Sequence, residues 1–142
     1  MSERMILLVE DDPDHEALAI RALKKSNVAN EVKVARDGEE AVEYIKAVAA
    51  GTERAPQLIL LDLKLPKVEG LDVLRAIRAA DKTAMLPVVV LTSSDEERDI
   101  VASYRLGVNS YIRKPVNFTD FAEATKQLGM YWLLLNQCPP AQ

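Results

Sequence analysis

Sulfur cross-linking is almost absent from this sequence. One cysteine, Cys138, among 142 residues excludes an internal disulfide and suits a reducing compartment. Histidine is just as scarce, with His15 the only one. Long apolar runs are missing too: Met1-Ser2-Glu3-Arg4 leads into a short apolar stretch that stops at Glu10. That stretch makes neither a signal peptide nor a membrane span. Nor is there an excess of positive charge. A net charge of -4 argues against unaided binding to a nucleic-acid backbone. No repeat, low-complexity run or interdomain linker is visible. What is present is an apolar share of 49% and a charged share of 28%, the balance of a folded globular domain. The length suffices to bury a full core. The expectation is a soluble cytoplasmic protein.

Strand and helix patterns alternate along the chain. Ile6 to Val9 is a short apolar strand, followed by the acidic run Glu10-Asp11-Asp12. Pro13 falls where a first helical turn tolerates it, with Asp12 as N-cap. The first helix then runs from about Asp14 to Lys25, with Leu18, Ala19, Ala22 and Leu23 on one face. Glu31 to Ala35 is the second strand, and Asp37-Gly38 turns the chain into the second helix. Its Ala41, Val42, Ile45, Val48 and Ala49 fit the helical period. After the loop Gly51 to Pro56, Leu58-Ile59-Leu60-Leu61 reads as a third strand buried on both faces.

Gly70 opens a third helix with Leu71, Leu74 and Ile77 inward. Pro87 to Leu91 is a fourth, buried strand. The fourth helix spans about Glu96 to Leu106, with Gly107 as its C′ residue. Ser110 to Arg113 is the fifth strand, and the fifth helix starts near Phe118 and persists past Trp132 despite Gly129. Such alternation implies right-handed crossovers and an α/β fold: a flavodoxin-like (βα)5 doubly wound parallel sheet with strand order 2-1-3-4-5. Residues 1–142 read as one domain, with a core at about 4–135, a short tail 136–142 and no room for an output domain.

All strand carboxyl ends of a parallel sheet share one edge, where ligands bind. Glu10 and Asp11 follow the first strand, Asp62 ends the third, Thr92 follows the fourth and Lys114 follows the fifth. These side chains are expected to converge. Crowded carboxylates repel unless something positive neutralises them. A small hard divalent cation such as Mg²⁺ takes one or two carboxylates and keeps waters for a phosphoryl group. A lysine and a hydroxyl opposite suit phosphoryl oxygens. Each residue also has a plainer role. The acidic run is favoured by a helix dipole, Asp62 and Thr92 are capping types, and a lysine before proline is commonly solvated. His15 reads as an exposed helix residue rather than a phosphodonor, and Cys138 as a free thiol.

The set Val9-Glu10-Asp11-Asp12, Asp62 with Leu65-Pro66 and Gly70, Thr92, and Lys114-Pro115 resembles the receiver domain of two-component response regulators. The resemblance implies that Asp62 is the phosphoacceptor. Asp11 would ligate Mg²⁺ directly, Glu10 would act mostly through water, and the Lys64 backbone carbonyl would complete the protein ligands. Thr92 and Lys114 would bind phosphoryl oxygens, and Tyr111 would turn inward as Thr92 moves. The Lys114-Pro115 bond is expected to be cis. Lys64 and Ser94 occupy positions where the family tunes dephosphorylation. A sensor histidine kinase would donate the phosphoryl group. Output would pass through contacts of the fourth helix, fifth strand and fifth helix to a target protein or a histidine phosphotransfer protein. The chain would catalyse only its own phosphorylation and dephosphorylation.

The fifth helix carries more apolar surface than one core-facing stripe requires. Phe121, Ala124 or Thr125, Leu128, Trp132 and Leu135 account for the stripe, while Phe118, Met130, Tyr131, Leu133 and Leu134 are surplus. The stretch Lys126 to Asn136 and the loop Gly51 to Pro56 resemble stand-alone receivers partnered with phytochrome-type kinases. A homodimer using Tyr131, Trp132 and Leu134 is expected. Two rivals stay open. A haloacid-dehalogenase-type phosphatase would want a second aspartate where Lys64 stands. A phosphorylation-independent interaction module would typically lack one of Asp11, Asp62, Thr92 or Lys114, and all four are present.

Overall fold

In the computed structural model, residues 5–25 and 31–137 are described. Cys138 and the prolines after it lie outside them. Five strands, β1 (Met5–Val9), β2 (Glu31–Ala35), β3 (Leu58–Leu61), β4 (Val88–Thr92) and β5 (Ser110–Arg113), pair in parallel in the order β2-β1-β3-β4-β5. Between them run α1 (Pro13–Lys25), α2 (Gly38–Ala49), α3 (Gly70–Ala79) and α4 (Glu97–Arg105), and α5 (Phe118–Gly129) follows β5. This is the doubly wound order expected from the sequence.

The central strands are apolar throughout because both their faces are covered. On one face, Leu7, Val9, Ile59, Leu61, Val88 and Val90 pack against Ala41, Ile45 and Val48 of α2 and Val73, Leu74 and Ile77 of α3. On the other, Ile6, Leu8, Leu58, Leu60, Val89 and Leu91 meet Ala19 and Leu23 of α1 and Phe121 of α5. Only Ser103 of α4 is buried, so that helix is attached more lightly than its neighbours.

Local chemistry fixes where each helix begins and ends. Asp12 Oδ1 accepts from the Asp14 and His15 amides at 2.9 and 3.4 Å, as its reading as an N-cap requires. Asp37 caps α2 through the Glu40 amide at 2.8 Å, and Asn117 caps α5 through the Asp120 amide at 2.8 Å. Gly107, at φ +81°, lets the chain leave α4 in the left-handed region with its N–H on Tyr104 O.

Three sequence expectations need adjusting. Val73 joins Leu74 and Ile77 in the core, while Leu71 is only partly buried. Thr92 is the last residue of β4 rather than the residue after it. The fifth helix does persist past Trp132, but as a π-helical turn over Met130–Leu135, closed by Asn136 N to Tyr131 O at 2.7 Å. Its i→i+5 bonding adds a residue to the turn and shifts the inward register. Leu133, like Leu128 and Trp132, therefore packs partly buried against the α1/α5 core, and Leu135 is 70% exposed instead of completing the stripe.

Gly70 sits where the β3 loop doubles back. A Cβ there would lie 2.5 Å from both Asp62 O and Leu63 Cα, atoms that cannot yield without moving the backbone beside Asp62. Gly70→Ala is expected to cost about 1–3 kcal/mol, the usual range for overpacking. A denaturant melt indistinguishable from wild type would contradict this.

Candidate functional site at the carboxyl edge of the sheet

The backbone ladder continues one residue past the strands and fixes the roots of the site. Glu10 N donates to Ala35 O at 3.0 Å, Asp62 N to Val9 O at 3.1 Å, and Lys114 N to Thr92 O at 2.7 Å. Glu10 (3% exposed), Asp62 (5%) and Thr92 (0%) are buried, while Asp11 is open to solvent. Oxygens of Glu10, Asp11 and Asp62 all lie within 4.8 Å of one another.

Lys114 holds this charge together. Its Nζ lies 2.6 Å from Glu10 Oε1 and 2.9 Å from Asp62 Oδ2. His15 Nδ1 lies 3.0 Å from the same Nζ, as a third polar neighbour of the ammonium. Burial pulls the Lys114 pKa down, but the bonds and charges of Asp62 and Glu10 outweigh it and the net shift is upward. The lysine stays charged. Burial raises the Glu10 pKa, and its bond to Lys114 only partly offsets this.

The two Asp62 oxygens are divided. Oδ2 faces Lys114, while Oδ1 accepts from Thr92 Oγ1 at 2.7 Å and from the Lys64 amide at 3.1 Å. Asp12 stays apart as the cap; its carboxyl is held below the usual range, chiefly by the Asp14 amide. The structure thus brings together Glu10, Asp11, Asp62, Thr92 and Lys114. Asp11 and the Lys64 side chain line a neighbouring cavity of about 720 Å³.

Tyr111 is half-buried beneath α4 and its hydroxyl donates to Ser94 O at 2.8 Å. The Ser94 amide in turn approaches Thr92 Oγ1 at 3.4 Å. Hydrogen bonds therefore run from Asp62 through Thr92 and Ser94 to Tyr111. Far from this edge, Tyr131 (51%) and Leu134 (48%) are exposed on the π-helical turn. Trp132 is partly buried against the α1/α5 core, with its ring edge-on to Tyr131 at 5.2 Å.

Two readings are corrected. The Lys114–Pro115 bond is trans, since the described residues contain no cis peptide. An X–Pro bond favours trans by only about 0.5–1 kcal/mol, so local context decides. His15 is not a simple exposed helix residue: it touches Lys114 and stacks on Phe121 with ring centroids 4.8 Å apart. Its place one turn into the helix that follows the acidic run was the available signal. A lone histidine carries no pairing information by itself.

The oxygen-only donor set of Glu10, Asp11 and Asp62 suits a hard divalent cation. Known proteins agree with the geometry. The response regulator receiver domain matches residues 6–126. The probable methanogenesis regulatory protein FilR2 of Methanothrix harundinacea is 38% identical over 95% of this chain and 87% of its own. Response regulator Rcp1 of Synechocystis is 37% identical over 97% of this chain and 95% of its own. Its Mn(2+)-bound form superimposes with a TM-score of 0.89, covering 96% of this chain and 99% of that one.

The phosphorylated cyanobacterial phytochrome response regulator RcpA superimposes with a TM-score of 0.91 at 38% identity, covering 98% of this chain and 100% of that one. Bacteriophytochrome response regulator RtBRR is 48% identical with a TM-score of 0.72, over 98% of this chain and 86% of that one. With its sheet order, its acidic cluster and these matches in agreement, the chain belongs to the response regulator receiver domain family, the phosphorylation-switched components of two-component signalling.

Proposed function

We propose that Asp62 is the phosphoacceptor of this response regulator. The division of its carboxylate carries the reading: one oxygen meets Thr92 and the Lys64 amide, the other Lys114, with Glu10 and Asp11 alongside. In the transfer, an Asp62 oxygen attacks phosphorus, the P–N bond to a kinase phosphohistidine breaks, and the nitrogen keeps the electron pair. A carboxylate nucleophile needs no separate base. Thr92 and Lys114 then turn their hydrogen bonds to phosphoryl oxygens, because both already face the Asp62 carboxylate.

Asp11, Asp62 and the Lys64 backbone carbonyl are the ligands proposed for Mg²⁺, with Glu10 acting mostly through water. Held there, the cation would supply positive charge to the phosphoryl oxygens. Mg²⁺ is the divalent ion proposed because it would take only one or two of these carboxylates and keep the rest of its shell for water and phosphoryl oxygen.

Tyr111 and Thr92 form the proposed switch, coupled through Ser94, and a new phosphoryl charge of about -1.5 to -2 biases the surface of α4, β5 and α5. The kinase proposed is of phytochrome type, in line with what RcpA and RtBRR are described as serving. A target protein or a histidine phosphotransfer protein receives the signal. The protein acts in the cytoplasm and turns over no small phosphate esters. No described helix is long and apolar enough to cross a membrane.

A homodimer through α4, β5 and α5, using Tyr131, Trp132 and Leu134, is supported by the exposed apolar surface of the π-helical turn. A groove of about 420 Å³ between β5 and α5, lined by Ile112, Leu128, Tyr131 and Trp132, adds to that support.

Incubation with acetyl phosphate and Mg²⁺, followed by intact mass, is expected to add one phosphoryl mass. The gain disappears without Mg²⁺ or in Asp62→Asn; an equal gain in Asp62→Asn would refute the assignment. Light scattering at tens of micromolar is expected to report a dimer, which Tyr131→Ala with Leu134→Ala dissociates. A wild-type monomer at that concentration would remove the dimer from the account.

A further inference from the structure

Beside the site, three polar side chains form a cluster that phosphoryl transfer itself does not require. Asp99, in the first turn of α4, has a side chain only 13% exposed. Its Oδ2 accepts from Ser94 Oγ at 2.6 Å and lies 3.7 Å from Lys64 Nζ. The Lys64 side chain is 55% exposed, but its root is fixed, because its amide donates to Asp62 Oδ1 at 3.1 Å. Lys64, Asp99 and Asp11 line the same open cavity of about 720 Å³. A four-carbon stem rooted at the reacting carboxyl thus carries an ammonium for which two anions compete most directly, although Asp11 and Glu69 also line the cavity. One is Asp99, as observed; the other is whatever charge Asp62 acquires.

We propose that Asp99 is a positioning residue that shortens the life of the phosphorylated state by holding the Lys64 ammonium on α4. This rests on Asp62 being the phosphoacceptor. A phosphoryl group brings about -1.5 to -2 charge and competes for the same lysine. Ser94 fixes the orientation of Asp99, and with it the outcome of that competition. In decay, a water oxygen attacks phosphorus and the P–O bond to Asp62 breaks. Its electron pair stays on the carboxylate, and the proton leaves with inorganic phosphate or solvent. With Lys64 held away, water reaches phosphorus through the shared cavity. With Lys64 released, its ammonium pairs with the phosphoryl oxygens and its stem covers that approach.

The test loads the full chain with acetyl phosphate and Mg²⁺, removes the donor, and follows the phosphorylated fraction by intact mass. Wild type is compared with Asp99→Asn, Asp99→Glu, Lys64→Ala and the double variant Lys64→Ala/Asp99→Asn. Asparagine keeps the shape and an acceptor for Ser94 Oγ while removing the charge. Asp99→Asn is expected to lengthen the half-life several-fold, and Asp99→Glu to stay near wild type. The double variant is expected to decay like Lys64→Ala alone, a dependence that a merely structural role for Asp99 does not produce. A half-life unchanged or shortened in Asp99→Asn overturns the inference, as does equal lengthening in the Lys64→Ala background. Failure of wild type to load at all overturns the phosphoacceptor reading and this inference together; loading followed by Asp99-independent decay overturns only the latter.

Discussion

The buried ammonium of Lys114, shared between Glu10 and Asp62 at 2.6 and 2.9 Å, is the contact on which the rest of the site depends. Two buried carboxylates with a third nearby are unstable company without a cation. Removing one partner of a buried ion pair typically costs about 3–5 kcal/mol. The sheet makes the contact possible. Residues from three different strand ends reach one point because the parallel register aligns Val9 with Leu61 and continues across β4 to Thr92 and Arg113. The Lys114 ammonium thus supplies in this state the positive charge that a divalent ion is proposed to add in the loaded one. Its long stem gives it room to turn from one acceptor to another without moving the backbone.

Outward from that contact, hydrogen bonding takes over from charge. Thr92 links Asp62 to the loop after β4, and Ser94 distributes the link. Its carbonyl takes the Tyr111 hydroxyl and its own hydroxyl reaches Asp99 on α4. The helix so connected is the most lightly packed of the five, with a single buried residue. Low burial makes an element easy to displace, so a small change at Asp62 meets its least resistance there. The apolar π-helical turn at the end of α5 shares a groove with the start of β5 and exposes Tyr131 and Leu134, which suits a surface for partners.

Much of this was legible in the sequence. Buried strands such as Leu58–Leu61 and Val88–Thr92 announce themselves as apolar runs, and an aspartate straight after such a run marks the sheet edge. The cap at Asp12 and the turn at Asp37-Gly38 follow from short-range chemistry alone, whereas the Asn117 cap emerges only in the structure. What escaped notice depended on three-dimensional context. The π-helical turn has the same composition as an α-helix, so Leu135 and not Leu133 was assigned inward. The trans bond before Pro115 is set by a small energy difference that no local pattern reveals. His15 and Asp99 matter through partners 99 and 35 residues away in sequence, and neither lies in a motif that carries chemistry by itself.

The claim that converging carboxylates form one divalent-ion site, with Asp62 among the ligands, is tested most directly by calorimetric titration of Mg²⁺. One ion per chain is predicted for wild type, with affinity weakened about tenfold or more in Asp62→Asn, in line with the effect of altering groups at a metal centre. Equal affinity in the two proteins would contradict the account, because the ion would then be bound without the residue on which the strand ends converge.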